Sequence, residues 1–181
     1  MISNHDVVGR SSQLSRPRSR DSVPIGRITS DLVPTSQQEA QEWLYTTWKR
    51  AEGWEKPAFK DTSWWKKGSG GFGTRGTPGA VVRTEWKTSD IWIRRMVELP
   101  EKLPEGLGLL IHHDEDAEVY INGVLAARPR RFTSDYDDVD VAPEAVKAFK
   151  PGKNVLAVHC HQTTGGQYID VGIIRYGPAA H

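Results

Sequence analysis

From Leu32 to Tyr176 the apolar residues come in short stretches separated by Gly, Pro, Asn and Asp, the spacing of an all-β sandwich. The stretches predict strands at Trp43–Trp48, Ala80–Thr84, Ile91–Leu99, Leu107–His112, Ala117–Asn122, Val124–Ala127, Val139–Val141, Asn154–His161 and Tyr168–Tyr176. In "DIWIRRMVELP" Ile91, Ile93, Val97 and Leu99 share one face at period two, interrupted by Arg95, while Trp92, Arg94 and Glu98 lie on the other. One face is expected in the core, and the other against water or a partner. In the strand ending at His161, Leu156, Val158 and Cys160 share a face, and His159 and His161 share the opposite one.

Asn122-Gly123 is the strongest local signal, because a two-residue type I′ turn needs positive φ at both central positions and these residues tolerate it. The hairpin it predicts pairs Ile121 with Val124 and Val119 with Ala126, leaving Tyr120 and Leu125 opposed on the second face. "APEAVKAFKPGKN" predicts one or two helical turns closed by Pro151-Gly152. No segment repeats at a fixed period, which argues against a propeller or solenoid. Residues 1–31, rich in Ser, Arg and Pro, show neither period and are expected to form a disordered leader, leaving residues 32–181 as one β-sandwich domain. Arg10, Arg16, Arg18, Arg20 and Arg27 have Asp6 and Asp21 among them and no aromatic residue. A solvated tail fits that better than a nucleic-acid arm.

Composition narrows the classes. A formal net charge of +1 provides no global field for nucleic acid or an acidic membrane, and neither is expected as a partner. The single cysteine, Cys160, excludes an intrachain disulfide and gives no thiolate cluster. The chain shows no signal-peptide apolar run and no stretch of about 18 apolar residues that would span a bilayer.

Candidate chemistry is sparse. Gly68-x-Gly70-x-x-Gly73 matches a dinucleotide fingerprint in letters, but Gly76, Pro78 and Gly79 forbid the helix that must follow, so a glycine loop is expected. Asp114-Glu115-Asp116 and the acids of "DYDDVD", Asp135–Asp140, offer oxygen ligands for a structural calcium without matching an EF-hand. No other cofactor is expected. His112, His159 and His161 with Asp114 could assemble a zinc site, giving a small metal-dependent enzyme as one alternative; the same histidines serve equally as hydrogen-bonding residues at strand ends. No nucleophile elbow, His-Glu-x-x-His or phosphate loop is present, and Cys160 on an apolar strand face reads as an inert thiol. The seven tryptophans stand out. Most indoles in a sandwich fill its core, but loop-borne ones stack on sugar faces, and Trp64, Trp65 and Trp86 adjoin the glycine-rich segment.

Four blocks carry a family resemblance: "FKDTSWWKKGSGGFGT", "DIWIRRMVELP", "HHDEDAEVYINGVLAA" with Asp114, Ala117, Val119, Asn122 and Gly123, and "FKPGKNVLAVHCHQ". In this order the chain resembles the galactose-binding-like jelly-roll domain, as in the sugar-binding domain of glycoside hydrolase family two, the β-galactosidase and β-glucuronidase relatives. The resemblance implies a non-catalytic carbohydrate-binding or docking module. The catalytic barrel of such enzymes is a separate domain that this chain is too short to contain, which implies a fragment of a larger carbohydrate-active enzyme. The implied partners are carbohydrate and the catalytic domain of a glycoside hydrolase, and the implied location is extracellular or periplasmic. The expected sugar contacts at a loop end are Trp64, Trp65, Trp86, His112, His161, Gln167 and Tyr168. A purely structural interaction domain is the third reading.

Overall fold

The computed structural model describes residues 29–48, 50–60 and 63–177. Most of the expected leader, residues 1–28, lies outside them. The described residues form an all-β sandwich of two six-stranded sheets. One sheet runs β3 (Lys66–Ser69), β2 (Glu42–Thr46), β6 (Asp90–Leu99), β11 (Gly152–His161), β8 (Asp116–Ile121), β9 (Val124–Ala127). The other runs β10 (Asp137–Asp140), β7 (Leu107–Asp114), β12 (Tyr168–Tyr176), β4 (Phe72–Gly73), β5 (Thr84–Glu85), with β1 (Thr29–Val33) also on β12. All pairings are antiparallel except β4 with β5. A single helical turn, α1 (Pro143–Val146), starts on a proline, whose missing N–H costs nothing at that position.

The period-two faces account for the interior. Ile91, Ile93, Val97 and Leu99 of β6 meet Leu109 and Ile111 of β7 and Val171 and Ile173 of β12 in one apolar cluster, with Leu156, Val158 and Cys160 of β11. Each such side chain contributes roughly 1.5–3 kcal/mol by leaving water. Burial also pushes the Cys160 thiol up, so it stays protonated and inert. Arg95, the interruption on the β6 face, sets its guanidinium over the Trp43 ring, 5.1 Å from the centroid.

Three expectations need correction. Ala80–Val82 is not a strand: the N–H groups of Arg83 and Thr84 both go to the Gly71 carbonyl, so only Thr84–Glu85 joins a ladder. The glycine-rich stretch supplies β3 and β4, where the small residues let aromatic rings lie on the backbone. A Cβ on Gly68 would sit 2.8 Å from the Tyr45 ring, and one on Gly70 2.8 Å from Trp43 Nε1. The hairpin turns at Asn122 and Gly123 with φ of 49° and 87° and pairs Ile121 with Val124 and Tyr120 with Leu125. A bulge then shifts Val119 onto Ala127 rather than Ala126, whose carbonyl instead accepts from the Ala142 N–H at 2.8 Å.

The middle of the outer face of the β6–β11–β8 sheet is covered, while Met96 and Glu98 of β6 stay exposed on it. Residues 50–60 and 63–65 fold across it and build a second apolar cluster of Trp54, Trp65, Val155 and Ala157, with Leu44, Phe59, Trp92 and Tyr120 at its margin. Trp54 and Trp65 stack with centroids 6.4 Å apart, and Tyr120 meets Trp54 edge-on at 5.8 Å.

Candidate functional site

Strand register gathers the connecting loops at one end of the sandwich. His161 pairs with Asp90 on one side and Asp116 on the other, while Tyr168 pairs with Asp114. Segments 86–90, 114–116 and 162–167 therefore lie at the same end. Hydrogen bonds join them: the Gln167 amide donates to the Thr88 carbonyl at 2.6 Å, and the Gln162 N–H to the Ser89 carbonyl at 2.7 Å.

The expected contact residues do not share one surface. Trp65 is buried in the outer cluster. Trp86 is buried in the main core, its indole N–H donating to Thr88 Oγ1 (3.0 Å) and the Asp90 carbonyl (3.2 Å). Gln167 is buried, its amide committed to Thr88 and its backbone N–H to Thr77 Oγ1 (3.1 Å). Tyr168 is fully buried, with its hydroxyl 3.0 Å from that of Tyr136. His112 is buried against both tyrosines, at 4.6 Å from Tyr168 and 5.3 Å from Tyr136, where desolvation holds its imidazole below the ordinary range and therefore neutral. The two exposed members are Trp64 and His161, and His161 Nδ1 lies 2.9 Å from Asp90 Oδ1.

The zinc constellation is not assembled. His112 belongs to β7, whereas His159 and His161 lie on β11 in the opposite sheet and both bond Asp90 Oδ1, at 2.8 and 2.9 Å. Among the described residues no three His, Cys, Asp or Glu side chains are grouped to hold a metal, calcium included. Asp116, one of the expected oxygen donors, is taken by the Arg130 guanidinium and the Arg131 N–H, both at 2.7 Å.

What the structure does bring together is a groove of about 420 Å³ lined by Tyr45, Thr46, Thr47, Trp48, Trp64, Lys66, Glu85, Trp86, Lys87 and Thr88. Trp48 is 79 % exposed and Trp64 41 %, while Trp86 contributes to the wall from the core behind. Lys87 and Glu85 pair across 2.8 Å, and this hydrogen bond holds the Glu85 carboxyl below its ordinary range. Two open indoles beside ionic and hydroxyl groups can stack on an apolar ring face while orienting polar substituents. The sequence pattern predicts Trp48 as the end of a strand. β2 stops at Thr46, and the sequence signal was the polar surround of Thr47 and Lys49, which leaves no core to receive the ring.

No family model matches the chain, and no curated protein matches it in sequence. Solved structures do. A glycoside hydrolase family 2 member from Bacteroides cellulosilyticus is similar at 16% identity and a TM-score of 0.51, over 74% of this chain and 20% of that one. A calcium-binding mutant of β-glucuronidase 2 from Bacteroides uniformis is similar at 18% and 0.54, over 82% and 18%. A β-glucuronidase from Ruminococcus gnavus is similar at 12% and 0.52, over 83% and 30%. The chain thus spans about a fifth of the family 2 member's length and no more than 30% of any of the three. At these identities the likeness is one of fold: this chain is a β-sandwich of the kind that makes up a part of family 2 glycoside hydrolases.

Proposed function

We propose that this chain is a non-catalytic sandwich module of a glycoside-hydrolase-type protein, which binds carbohydrate weakly and docks against a catalytic domain. The observation that carries the sugar-binding part is the pair of open indoles, Trp48 and Trp64, in one groove at the sandwich margin. Of the contacts expected from sequence, this site retains Trp64 and the edge of Trp86. The docking part is supported by the fold likeness to enzymes of which the sandwich is a minor share. Stacking supplies most of the affinity, and Lys66, Thr88 and the Glu85–Lys87 pair select orientation.

Affinity electrophoresis of the chain through gels holding soluble plant and bacterial polysaccharides tests this. Retardation in at least one gel is expected, reduced about tenfold in affinity, equivalent to ~1.4 kcal/mol, by Trp48→Ala or Trp64→Ala. Neither change should move the melting temperature, since neither ring fills a core. Unretarded wild-type protein in every gel would remove the sugar-binding part, leaving the docking role to stand by itself.

A further inference from the structure

Asn122 alone among the chain's three asparagines precedes a glycine. Such a pair is chemically labile, because a glycine nitrogen has no side chain beside it to hinder its attack on the neighbouring carboxamide carbon. The fold requires both residues. The turn holds them at φ of 49° and 87°, and a Cβ on Gly123 would also sit 3.0 Å from Lys56 Cγ.

The docked hairpin keeps the carboxamide occupied. Asn122 Nδ2 donates to the Ala148 carbonyl and to Asn154 Oδ1, and Asn122 Oδ1 accepts from the Val155 N–H, all at 2.8 Å. The backbone N–H of Asn122 donates to the Val155 carbonyl at 2.9 Å. Asn154 cannot turn its amide to help a different partner. It is buried, its Oδ1 also accepts from the Lys150 N–H at 3.1 Å, and its Nδ2 donates to the Lys150 and Gly152 carbonyls at 2.7 and 2.9 Å. The β8–β9 hairpin nevertheless forms the edge of its sheet, beyond β11, where openings short of global unfolding are concentrated.

We propose that Asn122-Gly123 is a site of spontaneous deamidation, sealed while the β8–β9 hairpin is docked on β11 and reactive when it opens. In the open hairpin the Gly123 backbone nitrogen bonds to Asn122 Cγ, the Cγ–Nδ2 bond breaks, and ammonia leaves with the proton from the Gly123 amide. Water then opens the resulting succinimide at either carbonyl and leaves aspartate or isoaspartate at position 122. Neither product fits the closed sheet. A carboxylate there keeps the Val155 N–H, but its second oxygen has no hydrogen to give and faces two acceptors, the Ala148 carbonyl and Asn154 Oδ1. Isoaspartate also lengthens the backbone of a two-residue turn and breaks the pairing of Ile121 with Val124. Opening thus becomes one-way, and the chain carries a covalent mark of it. This holds whether or not the module binds carbohydrate.

Peptide mapping by mass spectrometry tests it on the full chain, following the exchange of NH2 for oxygen at position 122 in mildly alkaline buffer with and without denaturing urea. Wild type is expected to react at least about tenfold more slowly in native buffer than in urea, a comparison that needs no variant to fold. In urea, Gly123→Ala should slow the reaction by a similar factor, because a methyl group hinders the ring closure. Asn154→Ala, which takes away one acceptor of the clamp, should react severalfold faster than wild type in native buffer. Asn122→Asp presents one product directly and should melt well below wild type. Equal wild-type rates in the two buffers, a Gly123→Ala rate in urea matching wild type, or no acceleration in Asn154→Ala would each overturn the proposal. So would Asn122→Asp melting with wild type, or urea-modified chains that regain the wild-type melting temperature on refolding.

Discussion

The two sheets bury their outer faces by opposite means. Across the β6–β11–β8 sheet lies an apolar lid, in which Trp54 and Trp65 cover Val155 and Ala157. Across the β7–β12 sheet lies a polar one, where Asp170 accepts from the Ser36 N–H at 2.6 Å and the Tyr136 hydroxyl at 2.7 Å while Tyr168 and His112 pack alongside. The first lid is non-directional and tolerates small shifts. The second requires that each polar group find its partner, and Asp170 Oδ1 has none among the described residues. The difference teaches where the chain can change: the apolar lid holds the fold, and the polar lid fixes where loops 34–41 and 134–137 sit.

The largest expected effect falls on the apolar lid. Trp54→Ala removes an indole that stacks on Trp65 and meets Tyr120 edge-on, and should cost about 3–5 kcal/mol in urea unfolding. A loss below 1 kcal/mol would mean that the segment is a loose flap, and the contrast between the sheets would fall.

Asn122→Ala comes next and probes the saturated polar cluster that the β6–β11–β8 sheet does carry. Asn122 Nδ2 donates to Ala148 O and Asn154 Oδ1, and its Oδ1 accepts from the Val155 N–H, all at 2.8 Å. Alanine leaves buried Asn154 and the Val155 amide short of a partner and disfavours the positive φ of 49°. A loss of about 2–4 kcal/mol is expected, with Asn122→Gly recovering only the backbone part.

A smaller loss, about 1–3 kcal/mol, is expected for Tyr136→Phe, which takes a hydroxyl from Asp170 and keeps the ring against His112. If the change were neutral, the polar lid would be decoration rather than a clasp.

These residues also show how far the sequence could be read. Period-two faces located most strands and the core because burial on one face leaves a direct trace in residue type. Asn122-Gly123 disclosed its turn, but not that the Asn122 side chain clamps β11, because that depends on strands over 30 residues away meeting it. Trp65 and Trp86 look like loop tryptophans along the chain and are core in space: residues 50–60 and 63–65 cross one sheet and bury Trp65, while Trp86 enters the main core between the sheets, and no local pattern encodes either. Trp48 was hidden by the reverse error, a ring assigned to a strand that ends before it. The histidines share a polar look in sequence, while the sandwich places them in different sheets.

The finest distinction lies between two carboxylates, one from each sheet, that should respond to acid in opposite directions. Burial raises the Asp170 carboxyl, only partly offset by the hydrogen bonds from Tyr136 and Ser36. Its folded form therefore holds a proton more tightly than the unfolded chain. Its contribution is favourable below the unfolded carboxylate value of about 3.9 and is lost as pH rises through the folded value. At Asp90 desolvation also raises the carboxyl, but hydrogen bonds from His159 and His161, together with their charge, bring it below the ordinary value. Its contribution is present above about pH 3.9 and is lost as pH falls through the lower folded value. Asp90→Asn should therefore flatten the acid limb of stability against pH, by under about 1 kcal/mol for so accessible a pair, and Asp170→Asn should steepen it. Trp92 fluorescence follows the first, because His159 stacks on that indole at 4.9 Å and 3°. Parallel shifts in the two variants would show that the sheets differ in covering but not in electrostatics, and that the contrast stops at packing.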